Sequence, residues 1–320
     1  MYSRMHFVNN HDGWELAIKH SYDQSKRNPE LKPLMIVPGY GMNAFIFGYH
    51  PRGLSMEEYL AEAGFEIFSV NLRTQGDSKK IGGKKRYGLK EVSLVDLPVA
   101  VDFAIEHCLS DNKLLDIIGC SLGGTIVYSY SAICGTEKLG SIVTLGAPLT
   151  WVDIHPILKI AFSSPRLAGM LRICGTRTLA RLALPVLEKL PLLLSIYLHP
   201  EITDISKPEM LAQTVEDPNP VLNREIAEWI GHKYLVVDGK DVAADLSNVE
   251  NPLLCMLSNA DGIVPPATAL SVLSAVSSKV KESIMCGTEE VQMAHADMYI
   301  SDYAQQMVFE PLSNWLQEYQ

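Results

Sequence analysis

No run of eighteen apolar residues occurs in the chain, so no membrane-spanning helix is expected. The first thirty residues hold no charged-then-apolar leader, and a reducing cytoplasm is the expected compartment. Internal repeats and low-complexity stretches are missing as well. Six cysteines, Cys108, Cys120, Cys134, Cys174, Cys255 and Cys286, show no C-x-x-C spacing and no disulfide framework. His6, His11, His20, His50, His107, His155, His199 and His232 are scattered and fit no metal spacing such as H-E-x-x-H, so neither a metal nor another cofactor is expected. Positive charge is short: the net charge is −10 and no basic stripe is interleaved with aromatics, which argues against a nucleic-acid partner.

What is present is a chain of 320 residues, 47% of them hydrophobic, long enough to bury a large core without staples. Apolar runs alternate with amphipathic stretches. Strands are predicted near 5–9, 14–19, 34–37, 66–71, 114–118, 141–145, 252–257 and 282–286, and helices near 54–63, 92–108, 122–133, 266–276 and 303–319. Alternation of this kind specifies an α/β fold, with a mainly parallel eight-stranded sheet flanked by helices. Asp12-Gly13 joins the first two strands as a hairpin. About one hundred residues between Pro148 and Pro252 break the rhythm, carrying little strand pattern.

The segment Ile118-Gly119-Cys120-Ser121-Leu122-Gly123-Gly124 lies between an apolar run and a helix-like stretch. It is either a plain tight turn or a G-x-S-x-G nucleophile elbow, in which glycines two residues either side let a strained serine approach its neighbours. In an elbow the Leu122 N–H, opening the helix, points to where a carbonyl oxygen becomes negative during acyl transfer. Ser…Asp…His is the chain order that accompanies the elbow. Asp261 lies on the loop leaving the strand Asn251 to Leu257 and is the candidate acid. His295 lies on a loop before the last helix and is the candidate base. It would take the Ser121 proton during attack and return it to the leaving group, while Asp261 orients the ring. Pro38-Gly39-Tyr40-Gly41 follows a strand ending at the same sheet edge, making the Tyr40 N–H the second candidate oxyanion donor. Asp153 is a fallback acid. Asp297 shares the histidine loop and is expected to be a poor orienting partner. His50 and His155 are expected at the pocket border or on the surface.

These motifs resemble the α/β-hydrolase superfamily over nearly the whole chain. Asp12-Gly13-Trp14-Glu15-Leu16 resembles its D-G-x-x-L hairpin, and Pro38-Gly39-Tyr40-Gly41 stands where many members have His-Gly. Tyr59 to Ile67 followed by Asn71-Leu72-Arg73-Thr74-Gln75-Gly76-Asp77-Ser78 is similar to the stretch LA-x-x-G-(Y/F)-x-V … D-x-R-G-x-G-x-S. Details are closer to acid lipases and polyhydroxyalkanoate-synthase-like proteins than to small esterases. Pro38 and Thr74 depart from the usual histidine and glycine. The polyester synthases use an elbow cysteine, whereas here Ser121 holds that place and Cys120 only adjoins it, so polymer synthesis is disfavoured. The resemblance implies a core of residues 1–149 and 246–320 and an inserted, mostly helical cap over 150–245. Prolines at 156, 165, 185, 191, 200, 208, 218 and 220 would cut that cap into short helices.

The implied activity is a serine hydrolase cleaving carboxylic esters with a medium or long apolar acyl part, in a small-molecule or lipid substrate. Leu182 to Leu187 and Leu190 to Leu198 are apolar enough to line its pocket, although cap helices must also pack on the core. Within 151–200, Lys159, Arg166, Arg172, Arg177, Arg181 and Lys189 outnumber Asp153 and Glu188, so the cap either presents solvated helix faces or makes peripheral contact with anionic lipid. Two other functions stay open. An acyltransferase or thioesterase acting on acyl-coenzyme A would use the basic run Lys79-Lys80-Ile81-Gly82-Gly83-Lys84-Lys85-Arg86, otherwise a solvated loop. A non-catalytic binding protein would retain only the fold.

Overall fold

The computed structural model describes residues 1–171, 173–187, 190 and 194–320. Arg172, Glu188, Lys189, Pro191, Leu192 and Leu193 lie outside the described residues.

Central strands of this chain are short apolar runs because both their faces are covered. Strands β1 (Tyr2–Asn9), β2 (Trp14–Tyr22), β3 (Leu34–Val37), β4 (Ile67–Asn71), β5 (Lys79–Lys80), β6 (Leu115–Cys120) and β7 (Leu139–Leu145) come first. A small hairpin, β8 (Val236–Val237) and β9 (Lys240–Asp241), precedes β10 (Leu253–Ser258) and β11 (Lys281–Cys286). Eight strands run in the order β1-β2-β4-β3-β6-β7-β10-β11, and β5 adds a short ninth beside β2. The pairs from β4 to β11 are parallel, whereas β2 pairs antiparallel with β1, β4 and β5. All eight predicted strands are present within a few residues of their expected bounds. The addition is β5: the basic run 79–86 opens as a strand, because Lys79 and Lys80 pair with Glu15 and Trp14.

Two-residue alternation divides the core in two. Met35, Val37, Phe68, Ile117 and Cys255 point to one face, and Leu34, Ile36, Ile67, Ile118 and Met256 to the other. The first face is covered by α2 (Leu97–His107) and α3 (Leu122–Cys134), the second by α1 (Met56–Glu62) and the C-terminal helix Glu310–Glu318. α1 starts on a capping box in which Ser55 accepts from Glu58 N and Glu58 from Ser55 N.

Helices predicted at 92–108 and 303–319 each open with a π turn, Val92–Asp96 and Gln305–Phe309. Both turns precede a proline, Pro98 and Pro311, whose ring would strike the carbonyl four residues back, at Leu94 and Met307. Those carbonyls lie within the π turns, and the wider turn relieves the clash. The helix predicted at 266–276 is instead a four-residue α turn, Pro266–Ala269, followed by a 3₁₀ turn, Leu270–Ser274. Ser271 and Ser274 hydroxyls donate to carbonyls three residues earlier, at 2.7 and 3.0 Å, competing with the regular ladder.

Between β7 and β10 the chain forms a mostly helical insertion. Its helices Pro156–Ala161, Pro165–Met170 and Thr176–Leu187 bury only Ala168 among their own residues. A longer helix, Pro220–His232, differs: Leu222, Ile226 and Trp229 join the core cluster beneath it. It begins on Asn219, whose side chain accepts from Val221 N, and ends at Lys233 in left-handed conformation.

Candidate active site

Ser121 joins β6 to α3 with φ +54° and ψ −127°, a conformation that non-glycine residues rarely adopt. The neighbouring glycines show what holds it there. A Cβ on Gly119 would lie 2.4 Å from Gly124 Cα, and one on Gly123 would lie 2.2 Å from Val37 O. β6 and α3 therefore meet backbone to backbone, and α3 sits directly on the end of β3. Gly39 closes the other side, since its Cβ would stand 2.7 Å from Ser121 Cβ and 3.1 Å from Leu122 N. The Gly39-Tyr40 turn thus overlies the first turn of α3. Among the described residues neither Leu122 N nor Tyr40 N is taken by another hydrogen-bond acceptor. The Tyr40 hydroxyl donates to Asn223 Oδ1, which fixes the turn to the helix Pro220–His232. Burial raises its pKa above the ordinary tyrosine value.

Asp261 leaves β10 and His295 follows β11, so two adjacent parallel strands deliver them to the same edge. Asp261 Oδ1 accepts from Ile263 N and Val264 N, both at 2.8 Å. Its Oδ2 lies 2.6 Å from His295 Nδ1. Both side chains are buried. Gly146, at the end of β7 with φ +56°, leaves room for the pair: a Cβ there would sit 3.1 Å from both Asp261 Oδ2 and His295 Cε1. Nδ1 is the only ring atom of His295 with a hydrogen-bond partner among the described residues. The residue lines a cavity together with Ser121, Leu122 and Tyr40.

That cavity measures about 250 Å³ and is almost wholly apolar. Its walls include Leu158 and Phe162 beside the first helix of the insertion, and Ile226, Trp229 and Ile230 from the helix Pro220–His232. The segments expected to line it contribute less. Tyr197 reaches it, while Leu184, Leu187, Leu194 and Leu198 surround a separate apolar cavity of about 270 Å³. Leu182 and Val186 face outward.

Other candidates fall elsewhere. Asp153 is exposed beside a different groove, away from His295. His50 Nε2 meets Ser301 O at 2.9 Å, and His155 caps the helix Pro156–Ala161; neither lines the serine cavity. Cys120 is fully buried, and desolvation pushes its thiol up to about 12, far from a reactive thiolate. The basic run is tied to the first hairpin by Gly83 N to Gly13 O at 2.9 Å, and no residue of 79–86 lines the serine cavity.

One arrangement was not legible from the motifs. Residues 196–203 of the insertion are stitched to both loops that carry Asp261 and His295. Gly262 N donates to Ile196 O at 3.2 Å and Ala296 N to Tyr197 O at 2.7 Å. Asp297, fully buried, accepts from His199 N, from Thr203 Oγ1 at 2.7 Å and from Ala294 N at 2.8 Å, and contacts His199 Nδ1 at 3.0 Å. So Asp297 does not orient His295 directly; it binds the histidine loop to the insertion. The hydrogen bond to Asp297 is the main cause that raises the His199 pKa above 6.5, against the opposing effect of burial. A histidine with a raised folded pKa stabilises fully below its unfolded value, about 6.5, and loses that contribution as pH rises through the folded value. Melting temperature should therefore fall with rising pH above about 6.5 in the native chain, and His199→Gln should remove that part of the slope. Thermal scans of both proteins across this window check it; parallel curves would show that the pair is not coupled to folding.

A family model described as the alpha/beta hydrolase fold matches residues 32–166, the stretch from β3 through the elbow into the insertion. Solved structures match over nearly the whole length. A soluble variant of monoglyceride lipase from Saccharomyces cerevisiae, in complex with a substrate analog, superposes with TM-score 0.71 at 15% identity, covering 100% of this chain and 96% of that one. The chain has the α/β-hydrolase fold. An esterase from Exiguobacterium antarcticum gives TM-score 0.64 at 13% identity, with 97% and 98% covered. Monoacylglycerol lipase from Paleococcus ferrophilus gives 0.61 at 15%, with 96% and 100% covered. No curated protein matches by sequence. At these identities the likeness establishes the α/β-hydrolase fold with its helical insertion and leaves the chemistry to be argued from the site. Among the described residues no helix is long and apolar enough to cross a membrane.

Proposed function

We propose that the protein is a serine hydrolase of carboxylic esters with a medium or long apolar acyl part. The observation that carries this reading is a His295 ring held from Nδ1 by buried Asp261 and lining the same apolar cavity as a strained serine. Ser121 Oγ attacks the ester carbonyl, and His295 Nε2 takes its proton. The carbonyl oxygen becomes an oxyanion held by Leu122 N–H and Tyr40 N–H; losing one such donor typically costs about 2.7–4 kcal/mol of barrier. Collapse expels the alcohol, which receives the proton from His295. Water then attacks the acyl-enzyme by the same route and frees the acid.

Residues 150–245 act as the cap of this site, supplying the apolar walls that Leu158, Phe162 and Ile230 present. Cap contact with lipid is supported by exposed Leu167, Met170, Leu179, Leu182 and Val186 near Arg166, Arg177 and Arg181. A coenzyme A thioester would have to place its phosphates outside the apolar cavity, because the basic run 79–86 does not line it. A purely binding role leaves the buried Asp261–His295 pair and the two open N–H groups unexplained.

Hydrolysis of p-nitrophenyl esters from acetate to laurate, alongside matching coenzyme A thioesters, tests the reading. Ester kcat/KM should rise with chain length and exceed that for thioesters, and anionic vesicles should sediment the protein more than zwitterionic ones. Failure to turn over any ester would end the esterase proposal, and equal sedimentation the lipid contact.

A further inference from the structure

The serine cavity borders a second space within the insertion. This larger groove of about 950 Å³ lies between the helices Pro156–Ala161 and Pro220–His232. Trp151, Phe162 and Ile230 line both spaces, so a single layer of side chains separates them. The three are held very differently. Trp151 is buried and packed edge-on against Trp229 at 5.5 Å, and Trp229 Nε1 donates to Leu149 O at 3.0 Å, which makes it a fixed floor. Ile230 belongs to a helix anchored in the core. Phe162 is half-buried at the end of a helix that buries none of its own residues.

The geometry points to Phe162 and Ile230 as a chain-length gate above Trp151: an acyl chain that outgrows the serine cavity passes between them into the outer groove. This rests on the acyl-cavity reading above and adds where a long chain goes. The groove suits that use, because apolar Ile154, Phe162 and Ala227 line it while Asp153, Lys159, Glu228 and Lys233 give it a polar, wetted rim. The other neighbouring space, behind Tyr197, is lined by Leu184, Leu187, Leu194 and Leu198 and, among the described residues, shares only Tyr197 with the serine cavity.

The test compares kcat/KM for p-nitrophenyl laurate and butyrate in the native protein, Ile230→Trp and Phe162→Ala, with thermal melts to verify folding. Filling the gap with Ile230→Trp should lower the laurate-to-butyrate ratio at least tenfold, and opening it with Phe162→Ala should raise the ratio severalfold. A ratio constant within twofold in both variants overturns the gate and leaves the esterase reading intact. If no ester is turned over, the esterase reading fails separately, and calorimetric binding of dodecanoate against butanoate decides the gate. Selective loss of dodecanoate binding in Ile230→Trp then supports it; unchanged binding, or none in the native protein, overturns it.

Discussion

Replacing Ser121 by alanine is expected to lower kcat for p-nitrophenyl esters by on the order of 10⁶-fold, leaving the residual rate that the oxyanion donors and binding alone provide. The fold should survive. The glycines on either side fix β6, α3 and the Gly39-Tyr40 turn through backbone contacts that do not involve the serine hydroxyl. Alanine at φ +54° carries the same backbone strain as serine there, so the substitution removes the hydroxyl and little else. His295→Ala should cost about as much, and the double variant hardly more than either single one, because the two act as a unit. A fluorophosphonate probe should label the native chain at Ser121 and fail on both variants. Ester turnover within tenfold of the native rate in folded Ser121→Ala would assign the chemistry elsewhere.

How much of this was legible in the sequence follows from which forces are local. The strands were legible because Leu34–Val37 and the first five residues of Leu253–Ser258, buried on both faces, are uninterrupted apolar runs. The elbow was legible because only glycine tolerates a 2.2–2.4 Å approach at positions 119 and 123, so backbone contact leaves a mark in composition. The π turns were not: prolines at 98 and 311 mark a difficulty in the helix without stating whether it ends, kinks or widens. Nor was the direction of an apolar helix face. Leu182 and Val186 are as hydrophobic as Phe162 and Ile230, yet the former look outward and the latter line the cavity, a difference set by tertiary packing. The clamp of Asp297 on His199 and Thr203 was hidden for the same reason, since nearly one hundred residues of chain separate its partners.

Asp261→Asn should lower kcat by about 10⁴-fold with the protein still folded, whereas Asp153→Asn should change it by less than twofold. The difference follows from what each carboxylate touches. An asparagine at 261 can keep its single carbonyl oxygen on Ile263 N and Val264 N, the two donors that Oδ1 now satisfies, so the loop retains its shape. Its amide nitrogen then faces His295 Nδ1, where Oδ2 now stands. Two donors cannot share that contact. The ring must present a bare Nδ1 and carry its proton on Nε2, the atom required to accept the Ser121 proton, so the tautomer itself blocks the first step. Asp297→Asn supplies the contrasting case. Its carboxylate binds the histidine loop to His199 and Thr203, and its loss should lower the melting temperature and loosen the loop, with a smaller fall in kcat than at 261. Measuring kcat, melting temperature and the pH profile for all three variants separates the roles. If Asp297→Asn or Asp153→Asn proved more damaging to kcat than Asp261→Asn in folded protein, the base would take its orientation from a different carboxylate than the one 2.6 Å from its Nδ1.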